Sequence, residues 1–123
     1  MRQEVRFTDN SVETQNEVLA ALQEIAADNS KLVDEKGNQT IGFQLSFGYI
    51  SFDGQWGLVR GDEDDVLALS EKFPALTFTL IRDFQREVTT TIEDLAGRYS
   101  RIDIKDGSIL GVFQPANITW VQV

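Results

Sequence analysis

Four carboxylates in a row, Asp62, Glu63, Asp64 and Asp65, stand in the stretch GDEDDVLALSEKFP (61–74), directly ahead of an apolar run that a proline closes. Carboxylate-rich loops bind hard cations, so calcium is the first chemistry to test. An EF-hand loop opening at Asp62 needs an oxygen ligand at its fifth position, a glycine at its sixth and a glutamate at its twelfth. Those positions hold Val66, Leu67 and Phe73. Helix physics accounts for the run instead. A helix N-terminus presents unpaired N–H groups and about half a positive charge, so Asp62 as N-cap and acids through the first turn stabilise by up to ~1 kcal/mol each. Val66, Leu69 and Phe73 follow at spacings of three and four, and Pro74 ends the helix. The stretch predicts one short capped helix, with an irregular cation or partner contact as the alternative.

Catalysis is constrained by missing residue types. The chain has no histidine and no cysteine. Serine–histidine and cysteine–histidine pairs, a two-histidine zinc site, thiolate metal sites and disulfides are therefore excluded. A carboxylate pair survives as an acid and base if burial drives the two pKa values apart. Asp83, Glu87, Glu93 and Asp94 are the candidates, but Arg82, Arg86 and Arg98 lie among them and predict strand-surface ion pairs. No phosphate-loop or dinucleotide-binding pattern is present. No catalytic residue, metal ligand or cofactor is assigned. Trp56 and Trp120 are expected in the core. Trp56 is the candidate exception: it stands between Gly54 and Gly57, where a connection could present its ring to a partner beside Asp62 to Asp65.

Charge leans strongly to one half. Residues 1–65 carry 13 acidic and 5 basic side chains, a net of −8, whereas residues 66–123 carry 7 and 6, a net of −1. Such a balance repels phosphate backbones, so direct nucleic-acid binding is not expected. It suits either solubility or an acidic surface that meets a basic protein partner.

The elements that must position these residues follow from periodicity. Alternation of Val5 and Phe7 with Arg6 and Thr8 predicts a strand over 3–8. Val18, Leu19, Leu22, Ile25 and Ala26 recur at helical spacing, capped by Asn10 or Ser11, in a helix ending near Asn29. Residues 31–39, with Gly37-Asn38, predict a loop. In IGFQLSFGYISFD (41–53) the large residues change phase between Phe47 and Ile50, which predicts a break at Gly48. Leu76, Phe78 and Leu80 alternate with Thr77 and Thr79 in a further strand, and EVTTTIEDL (87–95) is rich in β-branched residues. RYSRIDIKDGSILGVF predicts a hairpin about a type I′ turn at Asp106-Gly107, and NITWVQV a last strand. Strands outnumber helices without regular βαβα alternation. The fold class is α+β, a mainly antiparallel sheet with two helices packed on one face, ferredoxin-like in part.

The run ISFDGQWGLVRGDEDDVLALSEKFPALTFTL, followed by GRYSRIDIKDG, resembles the YubB-like domain of small bacterial, plasmid and phage-borne proteins. The likeness spans residues 49–110 and rests on Trp56, Leu69-Ser70, Phe73-Pro74, Phe78, Gly97, Tyr99 and Asp106-Gly107. Prolines that often follow the family's tryptophan are missing, and Arg82 to Glu87 replace its glycine- and glutamate-rich segment. The resemblance implies a ferredoxin-like sheet with packed helices and brings no catalytic residue.

The 123 residues suit a single domain, 1–123. With no signal-peptide core and no long apolar run, cytoplasmic residence and no membrane contact are expected. The sequence leaves oligomeric state open and supports a non-enzymatic acidic interaction, inhibitor or regulatory module from bacteria or a mobile element. The alternative is a small carboxylate-dependent enzyme or ligand-binding module.

Overall fold

The computed structural model describes residues 2–9, 11–30, 36, 42–46, 48–54, 56–83, 99–114 and 119–122. Along the chain they form β1 (Arg2–Phe7), α1 (Val12–Ser30), β2 (Gln44–Ser46), β3 (Tyr49–Asp53), α2 (Asp62–Lys72), β4 (Thr77–Asp83), β5 (Tyr99–Lys105), β6 (Ser108–Gln114) and β7 (Thr119–Gln122). The strands make one sheet in the order β2-β3-β1-β4-β5-β6-β7, with every pairing antiparallel. Its first four strands and two helices have the order of a split βαβ, ferredoxin-like unit, and β5 to β7 extend that sheet as a meander.

The core forms where the period-2 pattern of the strands meets the period-3.6 pattern of the helices. Val5 lies between Ile50 and Leu80 in the ladder, and Phe7 lies opposite Phe78. These residues close with Val18, Leu22, Ile25 and Ala26 of α1, and with Val66 and Leu69 of α2, into one buried cluster on one face of the sheet. The α1 start is a side-chain cap: Ser11 Oγ accepts the Thr14 N–H at 3.2 Å, and Asp9 Oδ1 accepts the Ser11 N–H at 2.8 Å. Helix α2 ends at Lys72, one residue before Phe73 and Pro74.

Both expected turns are present. Ser46 pairs with Tyr49 across a two-residue connection in which Gly48 has φ 81°. The phase change in the sequence is therefore a reversal between two strands. At the other turn, Asp106 and Gly107 have φ 47° and 75°, the two positive values of a type I′ connection between Lys105 and Ser108. Helix α2 holds that turn, since Ser70 Oγ accepts the Gly107 N–H at 2.8 Å. Between Asp103 and Ile104 the register with β6 shifts, because Asp103 pairs with Gly111 and Ile104 with Ile109. The expected loop at 31–39, Lys36 apart, and the β-branched segment at 87–95 lie outside the described residues.

Two stability measurements test this frame. Gly48→Val places a β-branched residue at positive φ and is expected to lower unfolding free energy by more than about 1 kcal/mol. Leu69→Ala empties part of the seam between α2 and the sheet and is expected to cost ~2–5 kcal/mol. A Leu69→Ala denaturant midpoint equal to the parent's contradicts the buried register of α2.

Candidate functional site

Two of the four carboxylates of GDEDD are inside the molecule. Asp62 is 4% exposed and Asp65 0% exposed, whereas Asp64 is open to solvent and Glu63 is half-buried. The cause is helical spacing: residues 62, 65, 66 and 69 fall on one face, so the apolar stripe of Val66 and Leu69 carries Asp62 and Asp65 inward with it. A buried carboxylate survives only where donors replace water. The loop before α2 and the elements around it supply them.

Asp65 holds the loop through four donated bonds. Its Oδ2 accepts Trp56 Nε1–H at 2.8 Å and Asn29 Nδ2–H at 2.8 Å, while Oδ1 accepts Arg60 Nε–H at 2.8 Å and pairs with Arg60 Nη2 at 2.7 Å. Asn29, fully buried at the end of α1, completes the clamp. Its Oδ1 accepts the N–H groups of Val59 and Arg60 at 3.0 and 2.9 Å, and its Nδ2 also reaches the Arg60 carbonyl at 3.3 Å. The Trp56 ring packs edge-on against Phe43 and Phe52, with centroids 5.2 and 5.7 Å away. Trp56 is 0% exposed, in agreement with its expected place in the core. A tryptophan with its ring in an aromatic cluster and its N–H on a buried carboxylate anchors the loop.

Asp62 is tied at a second point. Its Oδ1 accepts the Gly57 N–H and its Oδ2 accepts Gln3 Nε2–H at 2.7 Å. Gln3 Nε2 also donates to the Gly54 carbonyl at 2.6 Å, and Gln3 Oε1 accepts Arg82 Nε–H at 3.2 Å. The expectation that Asp62 caps α2 is corrected here. The N-cap is Gly61, with no side-chain cap, because both Asp62 oxygens are committed to the sheet and to the loop. A Cβ on Gly57 would collide with the Asp62 carboxylate and the Arg60 carbonyl, so the loop can close this tightly only on glycine.

Arg82 also departs from the sequence reading. It has a partner that reading did not name: its Nη1 meets Glu63 Oε1 of α2 at 2.5 Å. In the ladder its neighbours are Gln3 and Ser100. Asp83 closes β4, and Arg86, Glu87, Glu93, Asp94 and Arg98 lie outside the described residues, as does the side chain of Trp120 on β7.

Gly57, Gly61, Asp62, Glu63 and Arg82 line an open cleft of about 260 Å³. Burial pushes the Asp62 carboxyl up, against the bonds from Gln3 and Gly57, while the bond from Arg82 holds Glu63 below its ordinary range. Among the described residues, no three His, Cys, Asp or Glu side chains could together hold a metal ion. No helix among them is long and apolar enough to cross a membrane.

Of the proposed partner contacts, then, Trp56, Asp62 and Asp65 are enclosed, and only Asp64 and part of Glu63 reach solvent. Sequence reasoning passed over Gln3, Asn29 and Arg60. A signal was present for two of them: Gln3 is in phase with Val5 and Phe7, and Asn29 is in phase with Leu22, Ile25 and Ala26. A polar side chain in an apolar phase is a buried one with partners.

Neighbouring acids should behave oppositely on truncation. Asp65→Ala strands the Trp56 and Asn29 donors and is expected to destabilise by at least ~2 kcal/mol. Asp64→Ala removes only a favourable charge near a helix start, at most ~1 kcal/mol. Equal losses in denaturant melts would show that the Asp65 bonds carry no weight. The pH dependence divides in the same way. Glu63, with a lowered folded pKa, contributes stability above its ordinary value of 4.5 that is lost as pH falls through the folded pKa. Asp62 has the reverse sign: the cost of ionising it grows as pH rises from its ordinary 3.8 through the raised folded pKa. Glu63→Gln is therefore expected to flatten the acid side of the stability profile, read by urea melts from neutral to acid pH.

No model of a known family, no curated protein and no solved structure matches the chain, so the functional reading rests on the geometry of its own residues.

Proposed function

We propose that the protein is a non-enzymatic interaction module that offers the acidic outer face of its helices to a basic protein partner. The observation that carries this reading is the charge pattern of α1. Glu13, Glu17, Glu24 and Asp28 are all exposed, and Val12–Ser30 contains no lysine or arginine. At 3.6 residues per turn these four carboxylates fall within an arc of about 60°, opposite the buried stripe, along about 22 Å of helix. Two like-charged pairs at spacing i, i+4 cost about 0.2–0.5 kcal/mol each. Solubility is served equally well by mixed signs, which would turn that cost into a gain. Asp64 and Glu71 on α2 continue the acidic layer, with Lys72 beside them.

A second reading is favoured by one observation, the opposed shifts of Asp62 and Glu63 in a single cleft, a pattern shared with acid–base pairs. Against it, both oxygens of Asp62 already accept protein donors and Glu63 is neutralised by Arg82. A small ligand would have to break those bonds. The interaction reading requires no such rearrangement.

Binding of a basic partner should weaken steeply with salt, because exposed charges attract through a screened field whose range falls from about 10 Å at 0.1 M salt. Proteins captured at low salt are expected to be basic and to be released at higher salt. Glu24→Gln should reduce capture, whereas Asp53→Asn, an equal neutralisation on the exposed end of β3, should not. Equal effects of the two substitutions, or capture indifferent to salt, contradict the proposal.

A further inference from the structure

Leu58 and Val59 are each 62% exposed, adjacent in sequence, and held on a loop whose backbone is fixed from beneath. The Asn29 side chain accepts the Val59 and Arg60 N–H groups, and Trp56 and Arg60 on either side are bonded to Asp65. Two large apolar side chains are thereby presented to water by a buried polar network that orders the backbone under them. An ordered apolar tip loses little conformational entropy when it docks, which is the property of an interface anchor.

Its surroundings specify what docks. Asp28 precedes Asn29 at the α1 end that grips the loop, and Glu24 lies one turn earlier on the same exposed stripe. On the other side Asp64 N–H bonds the Gly61 carbonyl at 3.1 Å, which sets the exposed Asp64 at the loop's exit. Arg60, the one cation of the loop, is already paired with Asp65 at 2.7 Å. The tip is an apolar pair beside carboxylates that make no ion pair among the described residues.

We propose, resting on the acidic-face reading above, that Leu58 and Val59 anchor a basic amphipathic segment of a partner protein. Apolar side chains of that segment cover the pair, and its lysines or arginines meet Glu24, Asp28 and Asp64. Those carboxylates set the encounter and its salt dependence, and the apolar pair sets the lifetime of the complex.

Two synthetic peptides of equal length and charge test this on the full chain: one with lysines and leucines at amphipathic helical spacing, the other with each leucine replaced by serine. The leucine peptide is expected to bind at least about tenfold more tightly than the serine peptide. That advantage should vanish in the Leu58→Ser, Val59→Ser double variant, while the salt dependence stays as in the parent. On the parent protein, the amide resonances of residues 58–60 should shift with the leucine peptide and not with the serine peptide, a readout independent of the variant's folding. Equal affinity of the two peptides for the parent, or an undiminished leucine advantage in the double variant, overturns the anchor and leaves the acidic face standing. Failure of both peptides to bind at low salt overturns the anchor and the acidic-face reading together.

Discussion

The carboxylate of Asp65 is the point on which the arrangement of the loop between β3 and α2 depends. It sits at 0% exposure, yet it joins the end of α1 through Asn29, the aromatic cluster through Trp56, and the loop through Arg60. A buried carboxylate is costly unless its lone pairs are satisfied, so these partners must be delivered together. Delivering them fixes where α1 ends, how α2 begins and which side of the loop faces out. Trp56 is turned inward by this requirement, and Leu58 and Val59, two and three residues later, are turned outward by the same constraint.

Asp62 repeats the logic toward the sheet. Through Gln3 it couples the start of α2 to the edge of the core on β1, and Gln3 passes the connection to Arg82 on β4, which returns to α2 at Glu63. The ring of contacts runs from helix to strand to strand and back to the helix. Every buried side-chain nitrogen and oxygen among the described residues has a partner, so the ring is closed and adds specificity without an orphaned group.

Much of the fold was legible because it rests on local periodicity. The alternation in β1 and β4, the spacing of Val18, Leu22, Ile25 and Ala26, the phase change at Gly48 and the Asp106-Gly107 turn each dictate their element within a few residues. The site was far less legible, because its bonds join positions 31, 36, 59 and 79 residues apart. Residue type alone misleads at that range. Four acids ahead of an apolar run satisfy the rules for a helix start, and those rules do not ask which acids lie in phase with Val66 and Leu69. Asp62 and Asp65 do; Glu63 and Asp64 do not.

This phase relation changes what the charge of the acidic half means. The run that dominates the sequence contributes one fully open carboxylate, Asp64, since Asp62 and Asp65 are enclosed and Glu63 is paired with Arg82. Helix α1, which shows no comparable run, contributes four exposed carboxylates and no cation. Local density of acidic residues along the chain is therefore a poor guide to surface potential, because burial removes charges in one place while helical spacing gathers separated ones in another. Glu13, Glu17, Glu24 and Asp28 place their charge outside, along one face of α1, whereas Asp62 and Asp65 act inside, through the bonds by which they hold the loop. The two sets meet where Asp28 adjoins Asn29, at the foot of the Leu58-Val59 tip, so the outer charges that would draw in a partner and the inner ones that shape the contact converge on one loop.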